Sequence, residues 1–261
     1  MADDRSAERP IDRYGDIVVV GGGCYGAYYV RQLGRAAAAG AMQWERLLVV
    51  DRDPVCFVAR EPNAGVPDHP MPRPRLVAMD WNAFFDGWMP LADTSARDAI
   101  VPSPLMPHLF FEYLARRARQ CWPGRDIGRA PLPERVGTPW ERAAPDGTDY
   151  VSHATWMCPV NCIEPRICPH TRDVRDWSMP DTIAVWGELR RAAGDDMLGP
   201  FTFPCLHRAY GVGMVDKAPI LRAERAIMSA AEAAPVRALI ATTSHCHGAA
   251  ALLSIGPVRP D

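Results

Sequence analysis

A single lysine, Lys217, stands against 28 arginines in this 261-residue chain. A GC-rich codon usage accounts for that bias without function, so Lys217 gains no importance from being alone. Charge of one sign is also lacking: 29 basic against 31 acidic residues leave a net charge of −2. No global basic field exists to draw nucleic acid or an anionic membrane. Nowhere do 18 apolar residues run together, which excludes a helix spanning a bilayer. The first ten residues are polar with both signs of charge and lack the apolar core of a signal peptide. The chain is therefore expected to be cytoplasmic, with no membrane or nucleic-acid partner. There is no internal repeat and no low-complexity segment beyond Ala36–Ala39.

Two residue types are abundant instead. Proline, at 26 residues, is about twice its usual share, and much of it falls between 62 and 180. Long stiffened loops are expected there. The eight cysteines, in a reducing compartment, are free thiols or ligands rather than disulfides.

An alternation of strand and helix signals runs through the first 120 residues. Asp16–Val20 is a β-branched run of the kind found in buried parallel strands, and Ala27–Ala39 reads as a helix. Leu47–Val50, Arg75–Met79 and Asp98–Val101 read as further strands, and His108–Arg119 as a helix with Leu109, Phe110, Tyr113 and Leu114 on one face. Residues 122–180 break the rhythm. Beyond them Thr182–Trp186 reads as a strand, Ala218–Ala234 as an amphipathic helix and Val236–Ala241 as a strand, followed by a turn at 242–248 and a short Ala/Leu-rich helix. The expected fold is α/β: a Rossmann-like, mostly parallel sheet with a Pro/Cys-rich irregular insertion. Its parts are a disordered tail over 1–14, a dinucleotide-binding unit over 15–121, a cysteine-bearing insertion over 122–180, and a C-terminal α/β part over 181–261. That last part completes the sheet or forms a small second lobe.

Gly21-x-Gly23-x-x-Gly26 follows the first strand directly and opens the first helix, with Cys24 and Tyr25 inside the turn. Alone the spacing is weak; here a strand precedes it, a helix follows, and the second strand ends in Asp51. A dinucleotide site needs that arrangement. The first glycine makes the tight turn, the second lets a pyrophosphate approach backbone N–H groups, and the third lets helix pack on strand. The helix N-terminus adds partial positive charge for phosphate, and Asp51 is placed to accept hydrogen bonds from ribose hydroxyls. These first 55 residues resemble the NAD(P)/FAD-binding Rossmann superfamily, about a fifth of the chain. The acid at 51 resembles the NAD form. Arg52 beside it keeps NADP open, and FAD is less favoured because Val30 stands where many flavoproteins carry a small residue. Binding of another nucleotide or of S-adenosylmethionine, and a domain that binds no nucleotide, are the competing readings.

The densest chemistry lies at Trp156–His170, where Cys158-x3-Cys162-x5-Cys168 places three thiols within eleven residues. The spacing departs from Cys-x2-Cys zinc knuckles and from the bacterial ferredoxin run. Pro165 prevents one helix from carrying all three, so a wrapping loop is expected, enclosing an iron–sulfur cluster or zinc. A fourth ligand is needed. Cys205, beside Pro204, is the first choice, with Cys246, Cys24 and His170 behind it. The plainer alternative is buried, inert sulfur.

His245-Cys246-His247 sits where a strand is expected to turn into a helix, which would depress the thiol pKa and make Cys246 a nucleophile. The flanking imidazoles would serve as base or ligand, and all three are candidate catalytic residues. Taken together, these features describe an oxidoreductase using a nicotinamide dinucleotide with a cysteine-ligated metal centre. It would act on a small-molecule substrate or a redox partner protein, and oligomerisation stays open. A non-catalytic module sensing nucleotide or metal, and a transferase or hydrolase dependent on Cys246, are the alternatives.

Overall fold

The structure is a computed structural model that describes residues 11–91, 97–159 and 162–258. Two mixed sheets share the chain. The first contains β1 (Asp12–Val20), β2 (Met42–Asp51), β3 (Arg75–Ala78), β4 (Ala99–Val101), β9 (Leu206–Ala209) and β10 (Val212–Asp216), in the order β3-β2-β1-β4-β10-β9. Pairing is parallel from β3 through β4 and antiparallel from β4 to β9. The second contains β5 (Arg125–Ala130), β6 (Trp140–Ala143), β7 (Asp149–Ser152), β8 (Leu198–Pro204), β11 (Val236–Thr243) and β12 (His247–Val258). Its order is β6-β7-β12-β11-β8, with β5 also pairing β12. Only β8 and β11 pair in parallel.

Side-chain alternation explains why both sheets are sandwiched. On β1, Val18 and Val20 face one core while Ile17 and Val19 face another. On β12, Ala251, Leu253 and Ile255 face the first core and Ala250 and Leu252 a third. The first core lies between the sheets and is filled by α3 (Trp81–Trp88), α4 (Leu109–Cys121) and α6 (Lys217–Ala233). Helices α1 (Cys24–Ala38) and α2 (Phe57–Arg60) cover the outer face of the first sheet, and α5 (Met179–Ala192) that of the second. The layers thus run helix, sheet, helices, sheet, helix. The chain is mixed α/β. Among the described residues no helix is long and apolar enough to cross a membrane.

Several local expectations are corrected. Thr182–Trp186 lies inside α5: Ser178 Oγ caps that helix by accepting from Asp181 N, and Met179, Ile183 and Trp186 are buried at helical spacing. The Ala/Leu-rich segment after 248 is β12, paired with β11 on one edge and with β7 and β5 on the other. Its burial on both faces erases the polar–apolar alternation that marks a half-exposed strand. Residues 122–180 hold β5, β6 and β7, although their sequence shows little periodicity. The strand β1 begins at Asp12, within the tail expected over 1–14; residues 1–10 lie outside the described residues.

Lys217, passed over in the sequence, is buried at the start of α6. Its ammonium lies 3.2 Å from Asp98 Oδ2, 3.3 Å from the carbonyl of Leu91 and 4.2 Å from the Trp88 ring centroid.

Candidate functional site

The glycine turn has the shape its residues require. Gly21 takes φ +91°, a conformation side chains disfavour, and donates its N–H to Val50 O at 2.8 Å. A Cβ on Gly26 would sit 1.9 Å from Gly21 O, so the helix packs against the turn only with glycine there. Gly23 is the exposed N-cap of α1, with nothing within 4 Å of a Cβ, and Cys24 beside it is exposed. Tyr25 is half-buried and packs against the core under α1. Gly22, missed in the sequence reading, is equally constrained. Its Cβ would lie 2.3 Å from Cys56 Sγ, which packs over the turn ahead of α2. Asp51 ends β2 with its carboxylate toward the turn: Oδ2 accepts from Gly22 N at 2.6 Å and Oδ1 from Asp53 N at 2.9 Å.

The thiols lie at the other end of the molecule's chemistry, beside the turn between β11 and β12. The loop from 162 to 175 is a small hairpin of its own. Ile167 bridges Val174, Cys168 N donates to Asp173 O at 2.9 Å, and Arg175 Nη1 donates to Pro165 O at 2.8 Å. Trp156 stacks on His170 with centroids 4.5 Å apart, which occupies that candidate ligand's ring face. Glu164 Oε1 accepts from His245 N at 2.8 Å, and Met179 N donates to His245 O, so His245 serves first as backbone that ties loop to turn.

Cys158, Cys162 and Cys246 line one cavity of about 300 Å³ together with Glu164, His207 and His247. Burial and the neighbouring thiols push the Cys158 thiol above its usual range. Cys168 is buried and is not among the residues that line this cavity. Burial pushes its thiol up, but backbone N–H groups of Thr171 and His170, the Thr171 hydroxyl and the Arg175 guanidinium outweigh that and hold it low. Cys205 does not join this group. It lines a different pocket, and burial pushes its thiol to about 12. Among the described residues, no three His, Cys, Asp or Glu side chains converge as a group that could hold a metal ion.

The reason given for an activated Cys246 is overturned. No helix starts there: Thr243 pairs Gly248 across a hairpin, and Ser244 N donates to His247 O at 2.8 Å. Without a helix N-terminus to stabilise the thiolate, burial pushes the Cys246 thiol up, and the donated N–H of Trp177 offsets only part of this.

Next to the thiol cavity, sharing Pro104, His207, Ser244 and His247 with it, lies a pocket of about 260 Å³. Tyr29 of α1 and the prolines after β4 form one side, Thr243 and the start of β12 the other, and Tyr150 of β7 a third. It therefore sits at the carboxyl ends of β4, β8 and β11. Open α/β sheets bind ligands outside the carboxyl ends of their strands, where strand order reverses. Ser152, Glu164 and His207 were not legible as site residues, because each comes from a different element and none belongs to a spaced motif.

These features define the class: a mixed α/β protein with a glycine turn opening α1 and, elsewhere, a thiol cavity beside a pocket at the strand ends. A family described as “Uncharacterized protein, C-terminal domain” matches residues 110–256, more than half of the chain, and the chain belongs to it. The matched region runs from α4 to β12, so it includes the thiols and leaves out the glycine turn. No curated protein and no solved structure matches the chain.

Proposed function

We propose that the protein is an oxidoreductase built around a thiolate-held metal centre, with Cys158, Cys162, Cys168 and Cys246 as its ligands. The observation that carries this reading is the shared cavity of Cys158, Cys162 and Cys246, thiols from two segments far apart in sequence. Sulfur that merely fills a core needs no polar company, yet Glu164, His207 and His247 line the same cavity. Cys168 already receives the N–H donors that stabilise a thiolate.

Four thiolates suit either an iron–sulfur cluster or zinc. Zinc has no redox chemistry of its own, so the redox reading takes the form of an iron–sulfur cluster. Such a cluster supplies electron transfer when bound. The chain's own part is to exclude water with Trp156 and Trp177 and to set charge through Arg175.

The same proposal assigns a nicotinamide dinucleotide to the turn at Gly21–Gly26, with NAD preferred and NADP and FAD left as alternatives. The parallel order β3-β2-β1-β4 supports it, since a Rossmann sheet places its first four strands in that order. So do the forced glycine at 26 and the exposed Gly23 at the start of α1. Asp51 keeps lone pairs for ribose hydroxyls beyond the two it gives to backbone N–H groups.

Protein purified without air tests the metal centre, by visible absorption with iron, sulfide and zinc analysis. Broad absorption bleached by dithionite is expected, and Cys158→Ser, Cys162→Ser, Cys168→Ser and Cys246→Ser should each reduce bound metal. Cys121→Ser and Cys205→Ser should retain it. Equal metal retention across all six variants overturns the assignment, and stoichiometric zinc in colourless protein replaces the redox reading with a structural one.

A further inference from the structure

Helix α5 opens at the Ser178 cap, and a spacing of four residues puts Asp181, Val185 and Leu189 on one stripe of it. Val185 is 55% and Leu189 63% exposed, and they do not stand alone. With Val136, Trp177 and Trp186 they line a cavity of about 510 Å³, a run of accessible apolar surface large enough to mark a binding site.

The polar groups of this cavity divide into two kinds. Those of the first kind are already committed. Ser178 Oγ accepts from Asp181 N, and Thr182 Oγ1 donates to Ser178 O and lies 2.9 Å from His153 Nε2. Trp177 Nε1 donates to Cys246 Sγ at 3.2 Å and Trp186 Nε1 to Arg135 O at 3.1 Å. What each indole has left for a ligand is its carbon surface. The second kind is uncommitted: Asp176 and Asp181 are exposed, and among the described residues neither carboxylate enters a hydrogen bond or an ion pair. No lysine or arginine lines the cavity. Arg135 and Arg190, next in the chain to Val136 and Leu189, are taken by Glu141 and by Glu134 and Asp195.

Free carboxylates beside indole surface favour one charge type. A cation gains both from the carboxylates and from the negative faces of the indoles. An anion meets two like charges that nothing in the cavity offsets, and a neutral molecule forgoes the charge attraction. We propose that this cavity binds a small organic ammonium ion, a primary amine on an apolar body. Its N–H groups meet Asp176 and Asp181, and its body lies against Trp177, Trp186 and Leu189. No cysteine lines the cavity, so the site goes beyond the redox reading and fails or stands apart from it.

The probe is 2-phenylethylammonium, beside its neutral counterpart 2-phenylethanol and the anion 3-phenylpropanoate. Full-length protein with 15N-labelled tryptophan is titrated with each at neutral pH while the indole N–H signals are followed, those of Trp177 and Trp186 being assigned from Trp177→Phe and Trp186→Phe. The ammonium ion should shift both signals and leave those of Trp44 and Trp88, which belong to the cores around the first sheet, in place. The alcohol should bind about tenfold more weakly, and the carboxylate should shift neither signal. Asp176→Asn combined with Asp181→Asn should weaken the ammonium ion about tenfold while the Trp44 and Trp88 signals report an unchanged fold, and added salt should weaken it as well. The proposal is overturned if the ammonium ion shifts neither indole, if the alcohol binds as tightly, if the carboxylate binds more tightly, or if the doubly substituted protein keeps full affinity.

Discussion

Trp177 donates its indole N–H to the sulfur of Cys246 at 3.2 Å, in a site where burial raises the thiol above its usual range. The two effects oppose each other and burial wins, so at neutral pH Cys246 is a thiol and a poor nucleophile. In metal-free protein at pH 8, iodoacetamide should modify the exposed Cys24 and Cys121 well before Cys246. Trp177→Phe removes the donor and should slow Cys246 further, moving its reactivity to higher pH. Peptide mapping against time reads this directly. A Cys246 that reacts first would restore the reading of a Cys-dependent transferase or hydrolase.

The glycine turn separates a residue needed by the fold from one needed by a ligand. Gly26→Ala puts a carbon 1.9 Å from a backbone oxygen and should cost about 1–3 kcal/mol of stability through overpacking. Gly23 has open space around its Cβ direction, so Gly23→Val should fold with a near-normal denaturation midpoint and lose NAD binding. Asp51→Ala should weaken NAD by about 1–3 kcal/mol, the scale of a hydrogen bond to a charged group. Calorimetry on folded variants decides the matter: unchanged NAD affinity in both Gly23→Val and Asp51→Ala removes the dinucleotide from the proposal.

The strands and the two long helices of the first 120 residues were legible because each advertised itself locally, whereas α2 and α3, which are short, left no readable pattern. The run Ile17–Val20 is buried on both faces and needs no partner's help to read as a strand. Gly21, Gly22 and Gly26 in the turn after it are positions where a side chain would be strained or would clash. Legibility failed where tertiary context overrode composition. Thr182–Trp186 is β-branched and aromatic, yet the Ser178 cap and the pocket for Ile183 and Trp186 make it helical. Ala249–Leu253 is rich in strong helix formers, yet β11 takes one edge and β7 and β5 the other. For the site, the motif Cys158–Cys168 could be seen, whereas its meeting with Cys246 could not. That meeting depends on a hairpin turn, on the bond from His245 N to Glu164, and on the bond from His153 N to Cys246 O. None of these leaves a periodic trace.

Lys217 and Asp98 give a test of a buried charge. Asp98→Asn leaves the Lys217 ammonium enclosed by Trp88 and the Leu91 carbonyl without its counter-charge, and should cost about 3–5 kcal/mol. Lys217→Met keeps the volume, removes the ion that must be neutralised, and should cost clearly less. Urea denaturation of the two variants beside the parent measures the difference. Equal losses would mean that the pair stabilises through its own attraction rather than by avoiding an unpaired charge.

His69, His108 and His207 contribute to the expected response to acid, and burial shifts His153 and His247 in the same direction. Burial is the leading cause that holds His69, His108 and His207 below their ordinary range. Each also has charged neighbours: Arg73 and Asp68 for His69; Arg129, Asp146 and Glu112 for His108; Glu164 and Arg175 for His207. A histidine whose folded pKa is depressed binds its proton more readily when unfolded. Its stabilising contribution is therefore complete above the unfolded value of about 6.5 and is lost as pH falls through that value toward the folded one. Glu141, Asp146 and Asp216 are held low by backbone N–H groups and arginines, so their contributions persist until pH approaches about 4. The urea midpoint should thus fall between pH 7.5 and pH 5, before those three carboxylates lose their contributions. His108→Gln, which can still reach the Tyr150 hydroxyl 2.7 Å from His108 Nε2, should flatten that slope. A midpoint that stays level down to pH 5 would mean that these rings take up protons as easily in the folded chain as in the unfolded one.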